Sequence, residues 1–381
     1  MFTRLQRFAG LGHESAFLWG ARQTGKSTLL QARFPKAPRY DLLLSEEFFR
    51  LSREPGRFRE EVLLHKDKKI PILIDEIQKV PALLNEVQWL MVNHRYQFLM
   101  SGSSARKLNR NGGNLLGGRA LRYELFPLTA QEIPRFDLVR ALNHGLLPRH
   151  YLAADPRRLL NAYVADYLKE EIAAEALTRN IPAFARFLEA SAFSNGEMVN
   201  YENVASECGV SKPTAKEYFQ ILVDTLVARF VPSFQKRPKR RVILAPRFYY
   251  FDVGIANHLL NRGVIAAKSE AFGKAFEHFI FQELMAHSHY SGSDYSVAYW
   301  RTASQLEVDF ILGDHEVAIE VKGRDWIGTQ HLRGLQAFSG EYKVKKAIVV
   351  CLESRARISN GIHILPWSIF LEQLWGGDIL R

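Results

Sequence analysis

A short apolar run, Phe17-Leu18-Trp19, leads into Gly20-Ala21-Arg22-Gln23-Thr24-Gly25-Lys26-Ser27-Thr28, and a helical apolar pattern follows. The spacing is G-x-x-x-x-G-K-[ST]. Glycines at these places let a loop turn so that its backbone N–H groups surround phosphate oxygens, while the lysine neutralises the outer phosphates and the hydroxyl that follows ligates Mg²⁺. Gly20 through Thr28 are therefore the candidate nucleotide-binding residues, with Lys26 on the phosphates and Ser27 on the metal. A chance match in a tight turn is the competing reading. The strand-like run before the loop and the helix-like run after it weigh against that.

The stretch that follows alternates strands with helices, which implies an α/β domain with a parallel sheet. Residues 27–33 read as a helix stopped near Pro35, and residues 39–44 as the next strand. Residues 70–76, Ile-Pro-Ile-Leu-Ile-Asp75-Glu76, form a buried strand ending in two acids, at the sheet edge where open α/β sheets bind ligands. There Asp75 would hold Mg²⁺ through water and Glu76 would orient and deprotonate the attacking water; the alternative is an acid pair capping the next helix. A third apolar strand, residues 97–104, ends in hydroxyls. Placed beside the other two, it lets Ser101 reach the γ-phosphate or the water, unless it is an ordinary Ser/Gly turn. The glycine-rich residues 111–118 precede Arg119, a single arginine that can complete a neighbouring subunit's site.

A chain of 381 residues calls for two to three domains, and 47% hydrophobic with 24% charged residues marks it as globular. The net charge of +11 points to a polyanionic partner, nucleic acid before a merely solvated basic face. Cys208 and Cys351 lack the spacing of a zinc site or a disulfide framework and read as core residues in a reducing compartment. No leader-like segment and no apolar run of the ~20 residues that span a bilayer is present, so the expectation is a cytoplasmic protein away from membranes.

Residues 156–189 read as helical, with Leu159, Leu160, Tyr163, Val164 and Tyr167 as a core stripe. Residues 201–224 read as helix, glycine-containing turn and a second helix capped by Ser211, a helix-turn-helix. Lys212, Thr214 and Lys216 stand near the N-terminus of its second helix, where nucleic-acid contacts are made. Such modules also serve as protein-binding units. The run Lys236, Arg237, Lys239, Arg240 and Arg241, where a wing should project, shifts the reading toward DNA.

In the last third, residues 272–284 read as a helix carrying Glu277, and residues 297–301 as a strand. Residues 307–312 and 316–322 read as a hairpin closed by Gly313-Asp314. That turn sets Leu312 opposite His315 and Glu307 opposite Glu320, and alternation puts Glu307, Asp309, Glu320 and Lys322 on one face. Acids facing one another need something cationic between them. Three acids and a lysine suggest a Mg²⁺ or Mn²⁺ site, with Lys322 steadying the attacking water or the phosphate. A solvated strand face is the alternative.

Gly20 to Ser27, Asp75-Glu76-Ile77-Gln78, Ser101-Gly102-Ser103, Gly118-Arg119 and Glu124-Leu-Phe-Pro-Leu-Thr129 resemble the AAA-type ATPases of bacteria and archaea with a C-terminal winged helix and a nuclease-like domain. The pattern departs from that family where His144-Gly145 replaces a double glycine before Pro148. Asp309 and Glu320-Val-Lys322 resemble the restriction-endonuclease-like, PD-(D/E)xK, superfamily, with Glu277 matching the helix-borne acid of some members. The resemblance implies an ATP-hydrolysing core over residues 1–135 and a helical lid over 136–190. A winged helix over 191–262 and an α/β nuclease-type domain over 263–381 would follow. It also implies Arg119 as arginine finger, assembly into rings or other homo-oligomers, and Asp309, Glu277 and Glu320 as metal ligands. The expected function is an ATPase that remodels DNA and carries a metal-dependent endonuclease, with branched DNA such as Holliday junctions as a candidate substrate by analogy. The alternative is an ATP-switched oligomeric regulator with a non-cutting nuclease fold.

Overall fold

The structure is a computed structural model that describes residues 2–104, 116–172, 180–236, 242–267 and 269–380. The chain divides into two compact units, residues 3–127 with 224–227, and residues 1–2, 128–223 and 228–381.

The first unit is a five-stranded parallel sheet with helices between its strands: β1 (Ser15–Trp19), α1 (Lys26–Arg33), β2 (Arg39–Asp41), α2 (Ser45–Arg53), α3 (Gly56–Val62), β3 (Ile72–Asp75), α4 (Leu83–His94), β4 (Phe98–Gly102) and β5 (Ala120–Glu124). The strand order is β2-β3-β4-β1-β5, every neighbouring pair parallel. Alternate residues Phe17 and Trp19, Ile72 and Ile74, and Phe98 and Met100 share a core with Leu83, Val87 and Leu90 of α4. Each such side chain contributes about 1.5–3 kcal/mol on burial. Two strands are shorter than the apolar runs that encode them. β3 starts after Pro71, which has no N–H for a ladder. β2 ends at Asp41, whose carboxylate accepts the Leu43 N–H at 3.1 Å and turns the chain.

The second unit begins with helices: α5 (Leu138–His144), α6 (Pro148–Leu152), α7 (Arg157–Ala162) running into a π-helical segment (Tyr163–Ile172), and α8 (Ile181–Ala192). Leu160, Tyr163, Val164 and Tyr167 are buried, as the stripe requires, and Leu159 is half-buried. Next come α9 (Tyr201–Cys208), α10 (Lys212–Asp224) and a two-stranded antiparallel sheet of β6 (Ala228–Val231) and β7 (Arg247–Tyr250). α11 (Val253–Leu259) follows, capped by the buried Asp252. That carboxylate also accepts the Leu146 N–H at 2.7 Å, which ties the 143–148 turn to residues 252–255.

The remainder is a six-stranded mixed sheet between helices. α12 (Glu270–Tyr290) precedes β8 (Val297–Arg301), β9 (Glu307–Leu312) and β10 (Val317–Val321); α13 (Arg333–Glu341), β11 (Lys346–Cys351), β12 (Arg357–Ser359), β13 (Ile362–Pro366) and α14 (Trp367–Trp375) complete it. The order is β12-β13-β11-β10-β9-β8. Phe276, Phe279 and Leu284 of α12 and Phe370 and Leu374 of α14 cover one face, Leu335 and Phe338 of α13 the other. Cys208 and Cys351 are free and buried. Among the described residues, no helix is long and apolar enough to cross a membrane.

Two expectations about the hairpin are corrected. Val317 pairs with Leu312 and Ile319 with Phe310, so the turn spans four residues, 313–316, and Glu320 comes opposite Asp309 instead of Glu307. The strict alternation that placed four charges on one face also fails in β9. Val308 pairs with Trp300 and Ile311 with Ala298, so Asp309 and Phe310 together oppose Tyr299, a β-bulge. As a result Val308 and Ile311 enter one core while Phe310 and Leu312 enter the other.

Candidate nucleotide site and acid cluster

The strand order lays β4 between β1 and β3, so the phosphate loop after β1 and the acids after β3 meet at one sheet edge with the end of β4 between them. Gly20 is required where the loop leaves β1, because a β-carbon there would stand 2.4 Å from the Leu125 carbonyl oxygen. Lys26, buried, donates to the carbonyls of Gly20 at 2.8 Å and Ala21 at 3.1 Å. Burial lowers its affinity for a proton, while Glu76 and Asp75 act in the other direction. Ala21 and Thr24 are buried, Ser27 is half-buried, and Thr28 is exposed.

Both acids are buried and held from β4. Ser101 donates its hydroxyl to one Asp75 oxygen, and Arg39 of β2 approaches the other at 2.8 Å. The Ser101 oxygen also accepts the Glu76 N–H at 3.3 Å. Glu76 sits in left-handed backbone, φ 58°, a conformation that costs a non-glycine residue about 1 kcal/mol and re-aims its carboxylate. Ser103 donates to that carboxylate at 2.9 Å, Gln78 donates to it as well, and Gln78 Oε1 is buried without a partner. Arg119, just before β5, is exposed. Arg39, Gln78 and Ser103 were not singled out for a role from sequence. Arg39 reads locally as an ordinary strand-start cation, and only the adjacency of β2 and β3 brings it to Asp75.

In the second unit, Glu277 from α12, Glu307 and Asp309 from β9, and Glu320 and Lys322 at the end of β10 converge. Lys322 lies 2.5 Å from Glu320 Oε1. Among these acids stands Arg247, the first residue of β7, 4% exposed at its side chain. Its Nη1 is 3.3 Å from Glu277 Oε1 and 3.4 Å from Asp309 Oδ1, and its Nη2 pairs with Glu307. Asp309 Oδ2 accepts the Val321 N–H at 2.9 Å, and Tyr249 donates to Glu277 at 2.6 Å. Burial, then the charge of Asp309, pushes the Glu277 carboxyl up to about 7 and Glu320 to about 8. Burial works against the charge on Lys322, yet Glu320 and Asp309 hold its proton affinity above the ordinary value. A cleft of about 650 Å³ opens beside the cluster, lined by Lys274, Glu277, Lys322, Arg324 and Trp326 among others.

These contacts correct the expected metal set. Glu277, Asp309 and Glu320 do come together with Lys322. However, the cation between them is the Arg247 guanidinium, Asp309 has both oxygens engaged, and among the described residues no three His, Cys, Asp or Glu side chains are arranged to hold a metal ion. As folded, the cluster does not fit a divalent ion.

Residues 13–134 match the family model described as AAA domain. Over these residues the chain is similar to AAA domains. Two domains of unknown function, DUF8612 and DUF4143, match residues 135–264 and 272–370. An uncharacterized protein of Mycobacterium tuberculosis is 24% identical over 235 residues, 60% of this chain and 51% of the relative, so the chain spans about half the length of that relative. One of Haemophilus influenzae is 22% identical over 323 residues, 77% and 78% of the two chains. Among solved structures, a Walker-type ATPase of Pyrococcus abyssi matches with TM-score 0.43 and 14% identity over 64% of this chain and 90% of its own. The Aeropyrum pernix ORC1 protein in complex with DNA matches with TM-score 0.23 and 14% identity over 66% and 87%. Likenesses this distant do not carry function across.

Within residues 13–134, the Ser27 hydroxyl and the Asp75 carboxylate are the hard oxygen donors that would hold Mg²⁺, which would supply charge neutralisation on phosphates. Elsewhere, Lys212 is exposed and paired with Glu202 at 2.5 Å, Thr214 shares a 2.8 Å hydrogen bond with the capping Ser211, and Lys216 lies over the Tyr201 ring at 5.4 Å. Lys236 is exposed and pairs with Asp314. Arg237, Lys239, Arg240 and Arg241 lie outside the described residues.

Proposed function

We propose that this protein is an ATP-hydrolysing switch that acts on DNA, its AAA-type domain turning over nucleotide and its helix-turn-helix, with β6 and β7 as a wing, contacting the nucleic acid. The observation that carries the reading is the convergence of Lys26, Asp75, Glu76 and Ser101 at one sheet edge, with Glu76 held by Ser103 and Gln78. In that arrangement Lys26 binds the outer phosphates, Ser27 and Asp75 hold Mg²⁺, Glu76 takes a proton from the attacking water, and Ser101 keeps Asp75 aimed. Arg119, exposed beside β5, serves a neighbouring subunit of a homo-oligomer. The proposed division is residues 1–135 as ATPase core, 136–190 as lid, 191–262 as winged helix and 263–381 as a domain of nuclease type.

Nucleotide binding and turnover in three variants test this. Lys26→Ala should lose ATP binding, whereas Glu76→Gln and Arg119→Ala should keep it and slow hydrolysis on the order of a hundredfold. Mixing Arg119→Ala with Lys26→Ala subunits should restore part of the turnover. Normal hydrolysis by Glu76→Gln would move the base elsewhere.

A second reading, Mg²⁺- or Mn²⁺-dependent cleavage of DNA by the C-terminal domain, is favoured by the convergence of Asp309, Glu320, Lys322 and Glu277. It is disfavoured, in the conformation described, by Arg247. The regulator reading is therefore the better account of the cluster as folded.

A further inference from the structure

Arg247 is supplied to the acid cluster from outside the sheet that bears most of it. β7 pairs with β6, Val231 opposite Arg247, and residues 232–234 and 242–243, between the two strands, lie against the edge of β8. There the Phe234 N–H donates to the Tyr299 carbonyl at 2.7 Å, the Tyr299 N–H to Pro232 at 3.0 Å, and the Ile243 N–H to Arg301 at 2.9 Å. Phe234 is buried in the core beneath α13. These anchors bring the start of β7 over Tyr299, and the Arg247 guanidinium rests 4.9 Å from that ring's centroid. Tyr249, two residues on and on the same face of β7, donates to the Glu277 oxygen that Arg247 also meets. One strand thus supplies two donors to one carboxylate, and its arginine reaches Glu307 and Asp309 as well.

The charges explain why the arginine is there. Four carboxylates, Glu277, Glu307, Asp309 and Glu320, stand within one site, and buried like charges must be balanced or neutralised. Lys322 answers Glu320, and Arg301 reaches Glu307 at 3.4 Å from the rim. Lys322 also acts on Glu277 and Asp309, but the ion pairs of those two run to Arg247. A guanidinium is planar, permanently charged and a donor on several edges, which suits it to three acids at once. Two of the acids it meets, Glu277 and Asp309, are ones the sequence reading assigned to a metal ion.

We propose that Arg247 is the built-in counter-cation of this cluster, standing in for a divalent ion, and that the site takes no such ion while the arginine is there. The proposal rests on the second reading above only for where the cluster lies, and its test needs neither hydrolysis of ATP nor cleavage of DNA. Manganese binding is followed by electron paramagnetic resonance on the full chain without nucleotide, in an Asp75→Asn background that removes the carboxylate metal ligand of the nucleotide site. With Arg247 present, no Asp309-dependent manganese binding is expected. Arg247→Met should bind manganese at least about tenfold more tightly than the parent, and adding Asp309→Asn should abolish the gain. Arg247→Lys, which keeps a charge but reaches fewer oxygens, should gain less than Arg247→Met. A folded Arg247→Met chain with no gain overturns the proposal. So does Asp309-dependent manganese binding by the chain with Arg247 intact, a result that does not depend on any Arg247 variant folding.

Discussion

Single residues in this protein are constrained most tightly where two distant segments share one group. Gly145 is an example: it sits at φ 77°, and a β-carbon there would stand 2.2 Å from Asp252 Oδ1. Asp252 is fully buried and spends its oxygens on the N–H groups of Leu146, Gly254 and Ile255, so it has no room to retreat. Gly145→Ala therefore combines left-handed strain with loss of a capping geometry, and it should destabilise the second unit by about 2–4 kcal/mol. Thermal unfolding monitored by circular dichroism is the check; a change under about 0.5 kcal/mol would mean that the turn relaxes. The departure at His144 is harmless on this account, because the second glycine of the pair is the one that meets Asp252.

At the scale of elements, the proposed DNA reading rests on α9, α10 and the β6–β7 pair. α10 starts at Lys212 with Ser211 as its cap, and Lys212 and Lys216 are exposed, although Lys212 has an acidic neighbour in Glu202. Five basic residues lie between 236 and 241. If they contact phosphates, each releases about 0.9 counterion, so neutralising all five should flatten the slope of log affinity against log salt by about 4.5. Fluorescence anisotropy on duplex DNA at several salt concentrations measures it. An unchanged slope would place the DNA surface elsewhere and favour a protein partner for the helix-turn-helix.

For the whole molecule, buried carboxyls set an unusual pH response. Glu277 and Glu283 are pushed up to about 7 and Glu320 to about 8, in each case first by burial. A carboxyl whose proton affinity is higher folded than unfolded favours the folded state at low pH, and that advantage is lost as pH rises toward its folded value. Buried His150, His278 and His287 act oppositely, pushed down to about 4 by burial, but from the ordinary value of 6.5 upward their unfolded forms lose their charge too, so they offset only part of the change. Stability should therefore fall between pH 6.5 and 8, by up to about 1.4 kcal/mol per pH unit for each carboxyl still titrating. A melting temperature that stays level or rises across that range would show that these carboxyls are already ionised in the folded protein.

Local chemistry was enough to read the phosphate loop, the acids at the end of β3 and the hydroxyl end of β4, because each is a short pattern whose meaning depends on the element it bounds, whereas Glu277, inside a helix, was picked out only by resemblance. The parity of a strand was legible too, but only until the bulge at Asp309, since an extra residue in one strand is fixed by what it must oppose in the next. The register of the β9–β10 hairpin escaped for a related reason: two- and four-residue turns leave the same alternation. Arg39 at Asp75, and Arg247 among Glu277, Glu307 and Asp309, were decided by tertiary structure alone. No role for either can be read from its own neighbourhood; they acquire one because strand order and the contacts along β8 bring a cation to buried carboxylates separated from it by 30 or more residues.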